Sequence, residues 1–272
     1  GMHAAWMLDR LGADYVVYEA AENIGGHAFA HPFVTADGSE FPIDTGFVFG
    51  APTSYLAMKA LMAHYDVPRT QTSLALSGEV DGVVWATGMD GMDPEAIRFQ
   101  RLADKHVGDR SLDLVPFKWW LTYHGFGEDF RRRFMTPILS VLFITDVGLY
   151  EVSTTFALTM MAGEARWLDF ESNAQAWVVG GSSGAYYTKL FEDLRDHVKL
   201  STPVSAIERK DGKVHLTAYG PDGKIEEVYD DVVLAVPADV ARALLKDASP
   251  LESWLLGEVR YTDSSVAVHT DT

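Results

Sequence analysis

The chain contains no cysteine, which excludes disulfides, thiolate metal sites, a cysteine nucleophile and a cysteinyl attachment to a cofactor. This fits a reducing compartment, and a cytoplasmic location is the expectation. Cations are also scarce. Only 22 Lys and Arg stand against 39 Asp and Glu, a net charge of −17. Phosphate backbones and anionic lipid are held by clustered Lys and Arg, so neither is expected as a partner. Long apolar runs are missing too: none approaches the roughly 20 residues of a membrane span. No basic segment followed by an apolar core opens the chain, so no signal peptide is expected in this stretch. Internal repeats and low-complexity tracts are absent. The nine His show no spacing typical of a metal site, and no metal is expected. Ser182-Ser183 has no evident His/Asp arrangement, and G-x-S-x-G is not matched.

What is present is an ordinary globular composition, 47% apolar and 22% charged over 272 residues. That length can bury one large core or two interleaved domains. The stretch that organises the rest is Tyr15–Gly26, YVVYEAAENIGG. A short β-branched and aromatic run without strict alternation reads as a strand buried on both faces, as in a parallel sheet. It ends in an acid, Glu19, and two adjacent glycines come after it. Before it, Met2–Leu11 has small and apolar residues at helical spacing, with Gly12 in place as a C-terminal stop. A dinucleotide-binding fingerprint, G-x-G-x-x-G, opens a helix and is succeeded about 20 residues later by an acid that holds a ribose. Gly1, the helix and Glu19 match the last glycine, the helix and the acid of that fingerprint. The expectation is that the chain begins inside the motif. An alternative reading of Gly1 is an ordinary residue before an ordinary helix.

Gly25 and Gly26 sit where a backbone approaching a diphosphate cannot carry a Cβ. Next, His27–Val34 and Ser39–Ile43 read as a hairpin turned at Asp37-Gly38, delivering Asp44-Thr45-Gly46-Phe47. Taken alone, Asp44-Thr45-Gly46 reads as a plain turn. Pro52–His64 reads as a helix with Thr53 or Ser54 as N-cap. A second hairpin is expected around Asp81-Gly82. From Pro94 to Ala162 the chain is helical and rich in Phe, Trp and Met, with an Arg131-Arg132-Arg133 island. The island suits either the cationic rim of a substrate cap or a solvated face on a helical core. Trp177–Gly184 leads into a helix, Ala185–His197, capped by Ser182 or Ser183. A three-stranded meander comes next (Pro203–Arg209, Val214–Tyr219, Ile225–Tyr229). Then come a strand, Asp231–Val236, ending at Pro237, and a short helix, Ala238–Lys246.

Residues 1–46 resemble the N-terminal region of the flavin-containing amine oxidase superfamily, on Val16, Val17, Glu19, Ala20, Gly25, Gly26 and Asp44-Thr45-Gly46. Within it the bacterial FAD/NAD-binding oxidoreductase subgroup, with G-G-H in place of G-G-R, is most similar, and His27 supplies that histidine. The resemblance implies an α/β fold: a Rossmann-like FAD/NAD(P)-binding domain of glutathione-reductase type interleaved with a mixed α+β substrate domain. It implies FAD-binding segments at 1–70 and 177–244 and substrate segments at 71–176 and 245–272. The implied cofactor is FAD, held by Gly1, Glu19, Ala20, Gly25, Gly26, His27, Asp44, Thr45, Gly46, Phe47, Val204, Ala235 and Pro237. Within that set Val204 would pair its backbone with the adenine, and Asp44–Phe47 would lie near the isoalloxazine ring. Leu251–Thr272 resembles the approach to further substrate-domain strands, while the family's C-terminal flavin segment does not appear. The activity implied is hydride transfer from an apolar small molecule, an amine or an unsaturated carbon skeleton, to FAD. Two alternatives stay open, an NAD(P)-binding reductase and a non-catalytic or truncated flavin-fold protein. The sequence assigns no catalytic side chain and no oligomeric state.

Overall fold

The computed structural model describes residues 1–145, 148–163, 166–263 and 265–269. They form a mixed α/β protein of two compact units, one built from Gly1–Phe47 and Gly181–Asp263, the other from Val48–Gly180 with 265–269. Of the segment 251–272, residues 264 and 270–272 lie outside the described residues.

The first unit opens with a helix, Met2–Arg10, that buries Met2 and Ala5. It stops as the sequence predicts. Gly12 takes φ +67°, which lets its N–H reach the Asp9 carbonyl at 3.0 Å and the Ala13 N–H reach Leu8 at 3.1 Å. The helix packs on a second one, Ala185–Leu194, whose buried face is Tyr186, Leu190 and Leu194. The expected strand Tyr15–Tyr18 is shorter in fact: Val17–Tyr18 pairs in parallel with Val198–Lys199. Tyr15 is buried just before it, stacked on His197 at 4.4 Å.

The hairpin forms from Ala30–Val34 and Glu40–Asp44, closed by the loop 35–39 with Gly38 at φ +84°. His27 does not belong to it. Gly26–Ala28 is instead a single 3₁₀ turn entered through Gly25 at φ +112°. The meander is Val204–Lys210, Lys213–Gly220 and Gly223–Tyr229, with Lys213–Gly220 in the centre. Its Asp211-Gly212 turn has both residues at positive φ, the conformation a two-residue hairpin loop demands. The expected strand Asp231–Val236 does not form: the segment joins no strand ladder among the described residues, and Val233 is 63% exposed. A β-branched run becomes a strand only when a neighbour takes its ladder bonds, and no strand lies alongside it among the described residues. Helices Ala238–Leu244 and Pro250–Glu258 complete the unit.

In the second unit, Arg69–Leu74 pairs antiparallel with Ala174–Val179, and Ser77–Val80 with Val83–Ala86 around Asp81-Gly82. Leu56–His64 is a helix, but neither Thr53 nor Ser54 caps it. The Ser54 hydroxyl instead closes a turn on Ala51, and Tyr55 precedes the helix in the left-handed region at φ 57°. The helices from Pro94 to Ala162 enclose one aromatic core centred on Phe99, which meets Phe117, Trp120, Phe126 and Phe130 at ring-centroid distances of 5.6–6.4 Å. The arginine island lies on a π-helical turn, Arg131–Met135. Arg131 bonds the Phe126 carbonyl and the Thr122 hydroxyl, Arg132 pairs with Asp81 and Asp129, and Arg133 pairs with Asp129. These contacts tie helices and hairpin together within the unit.

Candidate cofactor site

Every residue implicated in cofactor binding falls in the first unit. One group forms around the end of the parallel strand pair. Glu19 continues the ladder, its N–H donating to the Lys199 carbonyl at 2.9 Å and its own carbonyl accepting from Thr202 N–H at 2.8 Å. Ser201 N–H reaches the Ala21 carbonyl at 2.8 Å, a further backbone bond across the turn after the strand. The Glu19 side chain is half-buried, and Oε1 accepts from the Ala21 N–H at 2.8 Å. Among the described residues no Lys or Arg forms an ion pair with Glu19. Its second oxygen is left to accept further hydrogen bonds, and a carboxylate takes two hydroxyls on those terms.

Gly1 stands at the N-terminus of the first helix, where a Cβ would lie 3.8 Å from Ala235 Cβ. The Glu19 carboxylate lies within electrostatic reach of that helix start, and the 231–237 segment meets it at Ala235. Ala20, Ala235 and Pro237 are exposed, and Pro237 caps the helix Ala238–Leu244. Val204 begins the meander two residues after Thr202 and pairs with Ala218. His3, one position inside the helix start, has its pKa lowered by burial, and its Nε2 is buried without a partner.

The second group is a knot of three turns. Gly25 and Gly26 both take positive φ, and no atom lies within 4 Å of where a Gly26 Cβ would stand. At Gly46 the backbone presses on its neighbour: a Cβ there would stand 2.2 Å from the His27 carbonyl oxygen, which accepts from Phe47 N–H at 2.9 Å. Glycine is required at that position by contact. Asp44 reaches across to the third turn, where Ser183 N–H lies 2.9 Å from both carboxylate oxygens and Ser183 Oγ 2.7 Å from Oδ1. The same hydroxyl is 3.0 Å from the Ala28 carbonyl. Thr45 makes the turn between Asp44 and Gly46.

Neither Ser182 nor Ser183 caps the helix Ala185–Leu194, whose N-cap is Gly184 with no side-chain bond. Ser183 is a buried polar residue of this knot whose bonds the sequence did not disclose. The signal was a serine after Gly180-Gly181, but its partners are 139 and 155 residues away, and no local pattern names them.

The two groups suit a dinucleotide. An acid with spare acceptor capacity ends a parallel strand beside a helix N-terminus, and turns free of Cβ atoms come after it. The wider comparison agrees. The family model for flavin containing amine oxidoreductases matches residues 1–115 and 121–269, and the chain belongs to that family. Membership implies a flavin cofactor. Among solved structures, cyclohexylamine oxidase from Brevibacterium oxydans IH-35A is similar at 22% identity and a TM-score of 0.69. A triple mutant of putrescine oxidase reaches 0.71 at 18% identity. A fatty acid isomerase from P. acnes, described as producing CLA, reaches 0.67 at 18%. Each alignment covers 94% of this chain and 60% of the other, and at such identities it shows the shared fold. No curated protein matches the chain by sequence at a significant level. Among the described residues no helix is long and apolar enough to cross a membrane.

Proposed function

We propose that the chain is the nucleotide-binding and partial substrate portion of an FAD-dependent oxidoreductase of amine-oxidase type, taking hydride from an apolar amine or unsaturated carbon skeleton. The FAD-binding domain is then Rossmann-like, of glutathione-reductase type, built from segments 1–70 and 177–244, and the substrate domain from 71–176 and 245–272; the implicated cofactor residues all lie in the part of the FAD segments that the first unit holds. The observation that carries the reading is Glu19: a half-buried carboxylate with one oxygen uncommitted, ending a parallel strand pair next to the helix start at Gly1.

When bound, the flavin supplies the hydride acceptor. The residues here bind and orient. Glu19 accepts the two ribose hydroxyls in charge-assisted bonds. Gly1 leaves the first N–H groups of its helix, which have no intrahelical acceptor, open to a diphosphate. Gly25, Gly26 and His27 bring backbone close to the same diphosphate. Asp44–Phe47 shape the approach to the ring, Val204 offers backbone to the adenine, and Ala235 and Pro237 close the site beside Gly1.

The test is visible absorbance of the purified protein. Flavin absorption is expected, and Glu19→Gln should weaken FAD binding by about 2 kcal/mol, the worth of hydrogen bonds to a charged group. Gly26→Val should abolish binding, because a β-branched residue resists positive φ. A colourless protein that takes up NADH instead would overturn the reading.

A further inference from the structure

Ser183 is 1% exposed, one of few buried polar side chains among the described residues. It belongs to no helix cap, and its hydrogen bonds run to two turns distant in sequence. The Asp44 carboxylate, half-buried, has no Lys or Arg ion pair among the described residues. The hydrogen bonds it accepts come from the Ser183 amide and hydroxyl. One serine therefore stabilises an otherwise unpaired charge. The proton count matters as well. The hydroxyl carries one hydrogen, yet two acceptors lie within reach, Asp44 Oδ1 at 2.7 Å and the Ala28 carbonyl at 3.0 Å. Both are held close to Ser183 by sharing it, and they belong to the two turns that Gly46 and His27 press together.

We infer that Ser183 is a positioning residue for flavin binding: acting through Asp44 and the Ala28 carbonyl, it locks Gly25–His27 against Asp44–Phe47 in the arrangement the cofactor needs. The inference rests on the flavin reading above. Nothing in the knot requires Ser183 to touch the flavin itself. Its contribution is preorganisation, so that binding does not have to order the two turns.

The experiment is titration of the flavin-stripped protein with FAD, monitored by flavin fluorescence, beside thermal melting of the same FAD-free samples. Ser183→Ala is expected to raise the FAD dissociation constant about tenfold, the usual cost of one lost hydrogen bond to a charged group. Ser183→Thr, which keeps the hydroxyl, should restore affinity to within about threefold of wild type. Ser183→Cys fills the same space with a weaker donor and should fall between them, and it carries the test if the alanine variant does not fold. In an Asp44→Ala background, Ser183→Ala should cost clearly less than in the wild type, because the part of its effect that acts through Asp44 is gone and only the Ala28 contact remains. Alanine or cysteine variants that melt lower but bind FAD as wild type does would make the role purely structural and overturn the inference, leaving the flavin reading intact. An additive loss in the double variant would overturn it too. A wild-type protein that binds no FAD would sink both.

Discussion

The two units are stabilised by different means, and the difference separates what keeps this protein folded from what lets it bind. The second unit relies on burial. Phe99, Phe117, Trp120, Phe126, Phe130 and Phe134 belong to one cluster, and even Arg131, Arg132 and Arg133 are committed to carbonyls and carboxylates of the same unit. The first unit relies on backbone geometry. Its parallel ladder has two residues per strand, its hairpin has two strands, and its decisive positions are glycines at positive φ and a serine shared between turns. Substitutions in the second unit should therefore act on stability, and those in the turns of the first on cofactor affinity.

The sharpest way to break that contrast is Phe99→Ala. A fully buried ring at the centre of the cluster should cost about 3–5 kcal/mol on removal, read by urea unfolding. FAD affinity of the molecules that remain folded should stay within about twofold of wild type. A small loss of stability, or a large loss of affinity, would show that the division is not as drawn.

Gly46→Ala probes the other side. Its new methyl would stand 2.2 Å from the His27 carbonyl oxygen, a contact with backbone that no rotamer relieves. Overpacking of this kind costs about 1–3 kcal/mol, and here it acts on the turn rather than a core. FAD titration should show at least a tenfold weaker complex, with the melting of the helical unit unchanged. A variant that binds normally would mean the Asp44–Phe47 turn is remote from the cofactor.

The same contrast explains what the sequence disclosed. The Asp81-Gly82 and Asp211-Gly212 turns were legible because positive φ is a local demand that few residues meet. The meander and the helices from Pro94 to Ala162 were legible through period and composition. Glu19 could be placed at the end of its strand because strand, acid and glycines lie within twelve residues, Tyr15 to Gly26. Illegible features depend on distant partners. Arg69–Leu74, RTQTSL, is mostly exposed and polar, and is a strand only because Ala174–Val179 lies beside it. Asp231–Val236 has the composition of a strand and, among the described residues, no partner strand to make it one. Ser183 looks like a cap until Asp44, 139 residues earlier, comes within 2.7 Å.

The smallest effect concerns the edge of the first unit, where the reliance on burial is least. Helix Pro250–Glu258 buries none of its residues, and Leu251, Trp254 and Leu255 are all exposed. It is held by a capping box at Ser249 and by Arg209, which reaches from the meander to Glu252 at 2.6 Å and Asp247 at 2.7 Å. The hydrogen bonds from Arg209, then those from Ser249, pull the Glu252 pKa from 4.5 down to about 2. A carboxylate with a depressed folded pKa stabilises the folded form above its unfolded pKa, and that contribution disappears as pH falls through the folded value. Amide exchange in this helix should therefore be slow above about pH 4.5 and should accelerate progressively toward pH 2, after correction for intrinsic rates, before the aromatic core of the second unit responds. Both groups are solvent-exposed, so added salt should narrow the difference. Arg209→Met should remove most of the pH dependence while leaving the exchange of the Phe99 helix as it was. If exchange in the helix tracks the core at every pH, burial rather than this charge fork holds it in place.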